Sequence, residues 1–268
     1  RARDGTIYAV GHRGIAYAGF RKSADNGVTW SATLSSFVEA DNNTNSRFFL
    51  LPGNDADPAD IWVVMHLNLT DTLIIKVYDA SANTWSKTTI STGIALNRND
   101  LLAAAMRLED SHVIVVASDG AYDAVHNIKC WDITSADSIT AKTNVITGAQ
   151  YIMGMGVSLA QLDSSIYVPY IRGATASYDG KVYYRKSTDG GTTWGDEQAY
   201  SFSDSAGETF NCPRVSESVP TATLGRFLGV WFVTGVYDLY TNYDNSIAIE
   251  KAAAAFNVGA QQAALLLI

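Results

Sequence analysis

One eight-residue pattern occurs twice in this chain, and it constrains the fold more than any other feature. Ser23-Ala24-Asp25-Asn26-Gly27-Val28-Thr29-Trp30 and Ser187-Thr188-Asp189-Gly190-Gly191-Thr192-Thr193-Trp194 both read Ser-x-Asp-x-Gly-x-Thr-Trp. The residues before them also match, Phe20-Arg21-Lys22 against Tyr184-Arg185-Lys186, so the repeated unit is a strand running into a tight turn. Each residue type has a mechanical reason to be present. Gly27 and Gly191 can take φ > 0, the Ser and Asp side chains can bond turn amides, and the Trp can anchor the turn against a sheet.

These eight residues resemble the Asp-box of sialidases and related BNR-repeat propellers. The resemblance implies a β-propeller in which Ser23, Asp25, Gly27, Trp30, Ser187, Asp189, Gly191 and Trp194 are structural and lie away from any active site. Weaker copies fall between the two. Val77 to Trp85 has the turn and the Trp, and Cys130 to Ser138 is a more decayed version. Aligned at Trp30, Trp85, Ser138, Trp194 and Phe256, the copies are spaced by 55, 53, 56 and 62 residues, the length of one four-stranded blade.

The strand pattern agrees with that period. In the fourth unit, Gly156 to Leu162 reads as the inner strand, Ser165 to Ile171 as the second, Lys181 to Lys186 as the third and Gln198 to Phe202 as the outer one. Other inner strands begin near Arg47, Leu101 and Arg214. The first unit opens directly on a second-strand sequence, Thr6 to Val10, while Gln262 to Ile268 reads as an orphan inner strand. The expectation is therefore an all-β fold, a single propeller domain over residues 1–268. Its five blades fall at about 1–39, 45–92, 98–148, 153–203 and 210–256, with 260–268 closing the first. A slice of a six-bladed or longer propeller is the structural alternative.

Composition bounds the function. A content of 47% hydrophobic and 17% charged residues supports a large core, and the net charge of −8 gives no reason to approach nucleic acid or an anionic membrane. No apolar run approaches the roughly 20 residues a membrane helix needs, so membrane insertion is not expected. The chain starts at Arg1 and is read as a processed or excised piece. Cys130 and Cys212 do not make a disulfide framework. Histidines 12, 66, 112 and 126 show no metal-ligand spacing, so neither metal nor cofactor is anticipated. Asn54 to Asp60 reads as an acidic, Pro-containing turn on the Asp-box face.

Strand alternation puts the Asp-box turns on one face and the second-to-third-strand loops on the other. The second face is predicted to carry His12, Arg13, Tyr122, Arg172, Tyr178, Tyr237, Asp238, Tyr240 and Tyr243, a set suited to stacking on sugar rings and bonding their hydroxyls. Arg47, Arg98 and Arg214 fall at or just before inner strands and make a candidate anion clamp, since sialidases hold a sugar carboxylate with three arginines. The competing use of these arginines is pairing with carboxylates such as Asp100 or Glu217. Asp100, Glu208 and Glu217 are the catalytic candidates by analogy with five-bladed glycosidases, whose carboxylates stand roughly 5–9.5 Å apart. The Arg-Ile-Pro segment of hydrolytic sialidases is absent. The reading is a glycan-binding or adhesion propeller, a module of a larger secreted, cell-surface or virion protein whose other domains are further partners. An exo-glycosidase of sialidase type and a structural scaffold are the alternatives.

Overall fold

The computed structural model describes residues 1–12, 17–32, 37–38, 48–53, 57–96, 101–107, 110–120, 124–135, 138–155, 158–160, 165–173, 181–199, 209–215, 218–219, 227–234 and 239–244, with the backbone alone from 209 onward. Among the described residues the regular elements are twenty β-strands, as expected for an all-β chain.

The second sheet is the most completely described. It runs β4 (Phe48–Pro52), β5 (Ile61–Leu67), β6 (Thr72–Asp79), β7 (Thr84–Thr92), antiparallel and in chain order. Every residue of β5 is buried, so both of its faces are covered. β7, built from Thr, Ser and Lys, is mostly exposed. A strand that is apolar on both faces needs a neighbouring sheet on each side, and an edge strand with polar residues does not. The gradient from buried to exposed therefore runs from β5 outward to β7.

The next sheet is continuous over ten strands; its first part, called the third sheet, repeats the gradient with β8 (Leu102–Met106), β9 (Val113–Ser118), β10 (Val125–Ser135) and β11 (Ser138–Ala141), and its second part is the fourth. β8 and β9 are buried throughout, and β11 lies at the surface. The fourth comprises β12 (Ile146–Met155), β13 (Ser158–Ala160), β14 (Ile166–Gly173), β15 (Lys181–Ser187) and β16 (Gln198–Ala199). Its inner strand begins ten residues before the expected Gly156, because the first part of β12 pairs with β10 of the preceding sheet, as in Ile128↔Ile146. Beyond that, β12 switches to β14, with Tyr151 opposite Gly173.

The first sheet holds β1 (Ile7–His12), β2 (Tyr17–Ser23) and β3 (Phe37–Val38); β1 has no inner partner among the described residues. The last holds β17 (Thr209–Val215), β19 (Phe227–Thr234) and β20 (Leu239–Asp244), while β18 (Ser218–Val219) is hydrogen-bonded to β13 and so joins the ten-stranded sheet. β13 and β18 are parallel, with Leu159↔Ser218 and Ala160↔Val219. Every other strand pair among the described residues is antiparallel. Among the described residues no strand pair joins the first sheet to the last.

One apolar cluster spans sheets two to four, with Trp62, Leu102, Val115, Trp131, Ile152 and Tyr170 among its members. A second joins sheets one and two through Tyr8, Phe20, Ile61, Ile74 and Tyr78. Trp131 lies inside β10, opposite Val115 and Ala141, so it is a core residue of the sheet and not a turn anchor. The decayed third copy is thus a short hairpin between β10 and β11.

Candidate functional site

The hydrogen bonds sort the turns between two ends of the sheets. Asp60, in the β4–β5 turn, accepts from the Ala80 amide of the β6–β7 turn at 2.7 Å, so those turns share an end. Asp57 organises the same turn through the Ala59 amide at 2.8 Å, which makes it the acidic turn expected there. At the opposite end the Asp71 carbonyl of the β5–β6 turn accepts from the Ile94 amide at 2.8 Å, and buried His66 meets the Ile94 carbonyl.

Both Ser-Asp-Gly turns have the same internal bonding. Ser23 Oγ donates to Asp25 at 2.7 Å and accepts from the Gly27 amide at 2.8 Å; Ser187 Oγ does the same to Asp189 and Gly191, each at 2.8 Å. Each Asp accepts from the amide and hydroxyl of the Thr four residues on, at 2.9 and 2.5 Å in the first turn and 2.9 and 2.6 Å in the second. Gly27 and Gly191 have φ of 90° and 86°, the left-handed region that side chains resist. Hydroxyl donation by Thr29 and Thr193, with the amide and Ser bonds, holds both carboxyls down at about 2. Each carboxylate thus takes three donors from within its own turn, which is a structural use.

At the other end the sheet alternation assembles a cluster on β14 and β15. Tyr170 stands opposite Tyr183, and Arg172 follows two residues on, hence on the same face. Arg172 donates from Nε to Glu197 Oε2 at 2.9 Å and from Nη2 to Oε1, while its guanidinium lies 4.0 Å over the Tyr183 ring. Tyr170 donates its hydroxyl to the same carboxylate at 2.6 Å. Burial and the bond to Glu197 push the Tyr170 phenol well above its ordinary range. Burial also opposes ionisation of Glu197, but donation from Arg172 and Tyr170 outweighs it and keeps the carboxyl below its usual value. The cluster is a closed acid–base set: a protonated phenol, an ionised carboxylate and a guanidinium. Arg172, anticipated as a ligand residue, is engaged by Glu197.

Asp119 organises the β9–β10 connection. It accepts from the Asn127 amide at 2.9 Å and from Asn127 Nδ2 at 2.6 Å, with Lys129 Nζ and His126 Nδ1 each at 3.7 Å. Asn127 Oδ1 then accepts from the Gly148 amide at 2.7 Å, tying this loop to β12 of the next sheet. The His126 ring rests directly on Gly120, where a Cβ would fall 1.8 Å from it. At the end of the Ser-Asp-Gly turns, His112 Nδ1 stands 2.9 Å from Arg107 Nη2 and 3.0 Å from Asp132, and Lys142 Nζ is 3.4 Å from the other Asp132 oxygen.

The remaining anticipated residues divide as follows. Arg13, Arg47, Arg98, Asp100, Tyr122, Tyr178, Glu208, Glu217, Tyr237 and Asp238 lie outside the described residues. His12 ends β1, and Arg214 sits in β17 opposite Val230. Tyr240 and Tyr243 are positions of β20, opposite Trp231 and Leu228. Both therefore belong to a strand and not to a loop. Glu197, Tyr170 and Asp119 were not singled out by sequence. The alternation Tyr170-x-Arg172 was available as a signal, but nothing local pairs it with residue 197. Among the described residues no three His, Cys, Asp or Glu side chains group as metal ligands, and no helix is long and apolar enough to cross a membrane.

No protein-family model and no curated protein matches the chain by sequence. Solved structures do share its fold. An α-L-arabinanase of Penicillium chrysogenum, complexed with arabinobiose, superposes with a TM-score of 0.57 at 14% identity, covering 85% of this chain and 75% of that one. A Hadza microbial sialidase gives 0.52 at 12% identity, over 92% of this chain and 55% of its own. The fucose-recognising lectin of Aleuria aurantia, a six-bladed β-propeller, gives 0.51 at 9% identity, over 90% and 75%. The described sheets are accordingly those of a β-propeller.

Proposed function

We propose that this chain is a carbohydrate-binding propeller whose glycan site lies at the end opposite the Ser-Asp-Gly turns. The observation that carries the reading is the fold shared with a fucose-recognising lectin and with enzymes that act on arabinan and sialic acid. We take the two turns as Asp-boxes and the ring as five blades, at about 1–39, 45–92, 98–148, 153–203 and 210–256, with 260–268 completing the first. The host is a larger secreted, surface or virion protein.

Binding is favoured over hydrolysis by the state of the one described Tyr–Glu pair at that end. A nucleophilic Tyr needs its phenol activated by a neighbouring base. Tyr170 is fully buried, its phenol is pushed up, and the carboxylate beside it is held by Arg172. The pair supports structure. A glycan array probed with the chain and with Arg214→Ala is the test: retained glycans that the variant loses sustain the reading. An array without hits, together with a tightly held protein partner, would move the function to a scaffold.

The glycosidase reading keeps a place because α-L-arabinanase and sialidase structures are among the similar folds. Turnover of fluorogenic sialosides or arabinosides, abolished by Arg214→Ala, would establish it. Inactivity across a broad glycoside panel would remove it.

A further inference from the structure

The two Ser-Asp-Gly turns differ at the position between the Asp and the second Gly. It is Asn26 in the first turn and Gly190 in the second, and both take left-handed backbone, with φ of 58° and 69°. Asparagine tolerates that region better than most side chains, so either residue serves the shape of the turn. Chemically they are not equivalent. Asn26-Gly27 is the one Asn-Gly pair in the sequence, and a glycine nitrogen, with no Cβ beside it, is the least hindered backbone nucleophile a neighbouring side-chain amide can meet.

The surroundings differ in the same sense. Trp194 donates its indole N–H to the Thr143 carbonyl of the third sheet at 3.0 Å, and Thr143 Oγ1 donates back to the Thr192 carbonyl at 2.6 Å, so the second turn is fastened to its neighbour. In the first turn Asn26 is exposed, Val28 is 81% exposed, and the Trp30 indole N–H bends back to the Gly27 carbonyl at 3.1 Å. Arg1 Nη2 donates to Asn26 Oδ1, which polarises the amide carbonyl and makes Cγ more electrophilic. Against this, the Gly27 N–H is donated to Ser23 Oγ at 2.8 Å.

We propose that Asn26 is a self-modifying position, converted to aspartate and isoaspartate through a cyclic imide at a rate gated by the Ser23 hydroxyl. The Gly27 nitrogen gives up its proton to solvent and attacks Asn26 Cγ; the Cγ–Nδ2 bond breaks, and the amide leaves as ammonia after taking a proton from water. Water then opens the imide. Cleavage of the new N–Cγ bond leaves aspartate, and cleavage at the backbone carbonyl leaves isoaspartate, whose main chain is longer by a carbon atom. Nothing is oxidised or reduced, and water is the co-reactant. Ring closure needs the Gly27 peptide plane to turn toward Cγ, so the bond to Ser23 Oγ has to open first. The isoaspartyl product does not restore it, because the longer main chain displaces the Gly27 amide from Ser23 and the Thr29 amide from Asp25. Gly190 carries no side-chain amide, so the second turn is not open to this chemistry.

Peptide mapping of the full chain, aged at mildly alkaline pH, tests this. Fragment masses locate the lost amide, and chromatography separates isoaspartyl from aspartyl peptides. In the folded chain Asn26 should convert ahead of every other asparagine, and faster as pH rises, because the attacking nitrogen must lose its proton. Ser23→Ala removes the acceptor and should raise the rate about fivefold, the equivalent of one net hydrogen bond. The parent chain unfolded in urea, where the gate is absent, should accelerate at least as much, so the gate is measured even if the variant folds poorly. An Asn26 that stays unconverted, conversion led by another asparagine, equal rates for folded and urea-unfolded parent, or a folded Ser23→Ala chain no faster than the parent would overturn the proposal. Glycan binding is not read by this experiment, so its outcome is independent of the functional assignment.

Discussion

The turn at 23–30 and the turn at 187–194 are near copies in their internal bonds and opposites in their surroundings. The Ser, Asp, Thr and Gly contacts agree to about 0.1 Å between them. A Cβ on Gly191 would meet Cys130 Sγ and Lys142 at 3.4 Å, whereas one on Gly27 would meet, among the described residues, its own Trp30 at 3.9 Å. Eight residues therefore specify the shape of the turn, and the neighbouring sheet specifies what the shape is worth. The same lesson explains why sequence similarity of this kind reports the fold more directly than the function.

The largest effect should come from the anchor. Trp194→Ala removes packing against the main core cluster and the indole bond to the third sheet, and should destabilise by about 2–3 kcal/mol in urea unfolding. Trp30→Ala sharpens the comparison: a loss approaching that of Trp194 is the energetic counterpart of a covered first turn, and a loss below about 1 kcal/mol is that of an open one. The glycines come next. Gly27→Ala and Gly191→Ala both force a side chain to positive φ, at about 1–2 kcal/mol each. Crowding by Cys130 and Lys142 should make Gly191→Ala the costlier of the two. Equal losses would mean the third sheet yields to the added methyl group.

The docking difference was not legible in the sequence, although the turns themselves were. Ser, Asp, Gly and Thr act within four residues of one another, so local pattern is enough to place Ser23 and Ser187 correctly. The strands that follow a two-residue alternation were also legible, as in Lys181 to Lys186. What failed was long-range pairing. β12 begins ten residues early because its partner is β10, a fact of the preceding sheet. The decayed copy from Cys130 to Ser138 turned out to span the end of β10 and the start of β11, with Trp131 in the core opposite Val115 and Ala141. Tyr240 and Tyr243 read as loop residues, and the structure puts both in β20. The Tyr170–Arg172–Glu197 set joins residues up to 27 apart, beyond any local signal.

Smaller effects test the internal half of the comparison. Ser23→Ala and Ser187→Ala each leave an Asp short of one donor and a glycine amide short of its acceptor, and should cost about 1–2 kcal/mol apiece. Because the bonds are alike, the two losses should agree within about 0.5 kcal/mol. A clear inequality would mean that docking reaches into the turn and that the two halves are not separable.

The smallest expected effect is acidic. Asp25 and Asp189 have carboxyls held at about 2, below the ordinary 3.8, chiefly by the Thr29 and Thr193 hydroxyls. A carboxyl depressed on folding adds stability that is complete above its unfolded pKa and is lost as pH falls through the folded one. The contribution of these two groups should therefore fade between about pH 4 and pH 2, in equal parts for the two turns. Both side chains are solvent-exposed, so screening keeps the contribution small and salt weakens it. In urea titrations across that window, the Asp25→Asn, Asp189→Asn double variant should show a shallower decline than the parent, and NMR titration of Thr193→Val should return the Asp189 carboxyl toward its ordinary range while Asp25 stays low. If Asp25 rose together with Asp189 in that variant, the depression would have to come from a field acting across several sheets and not from the hydroxyl four residues away.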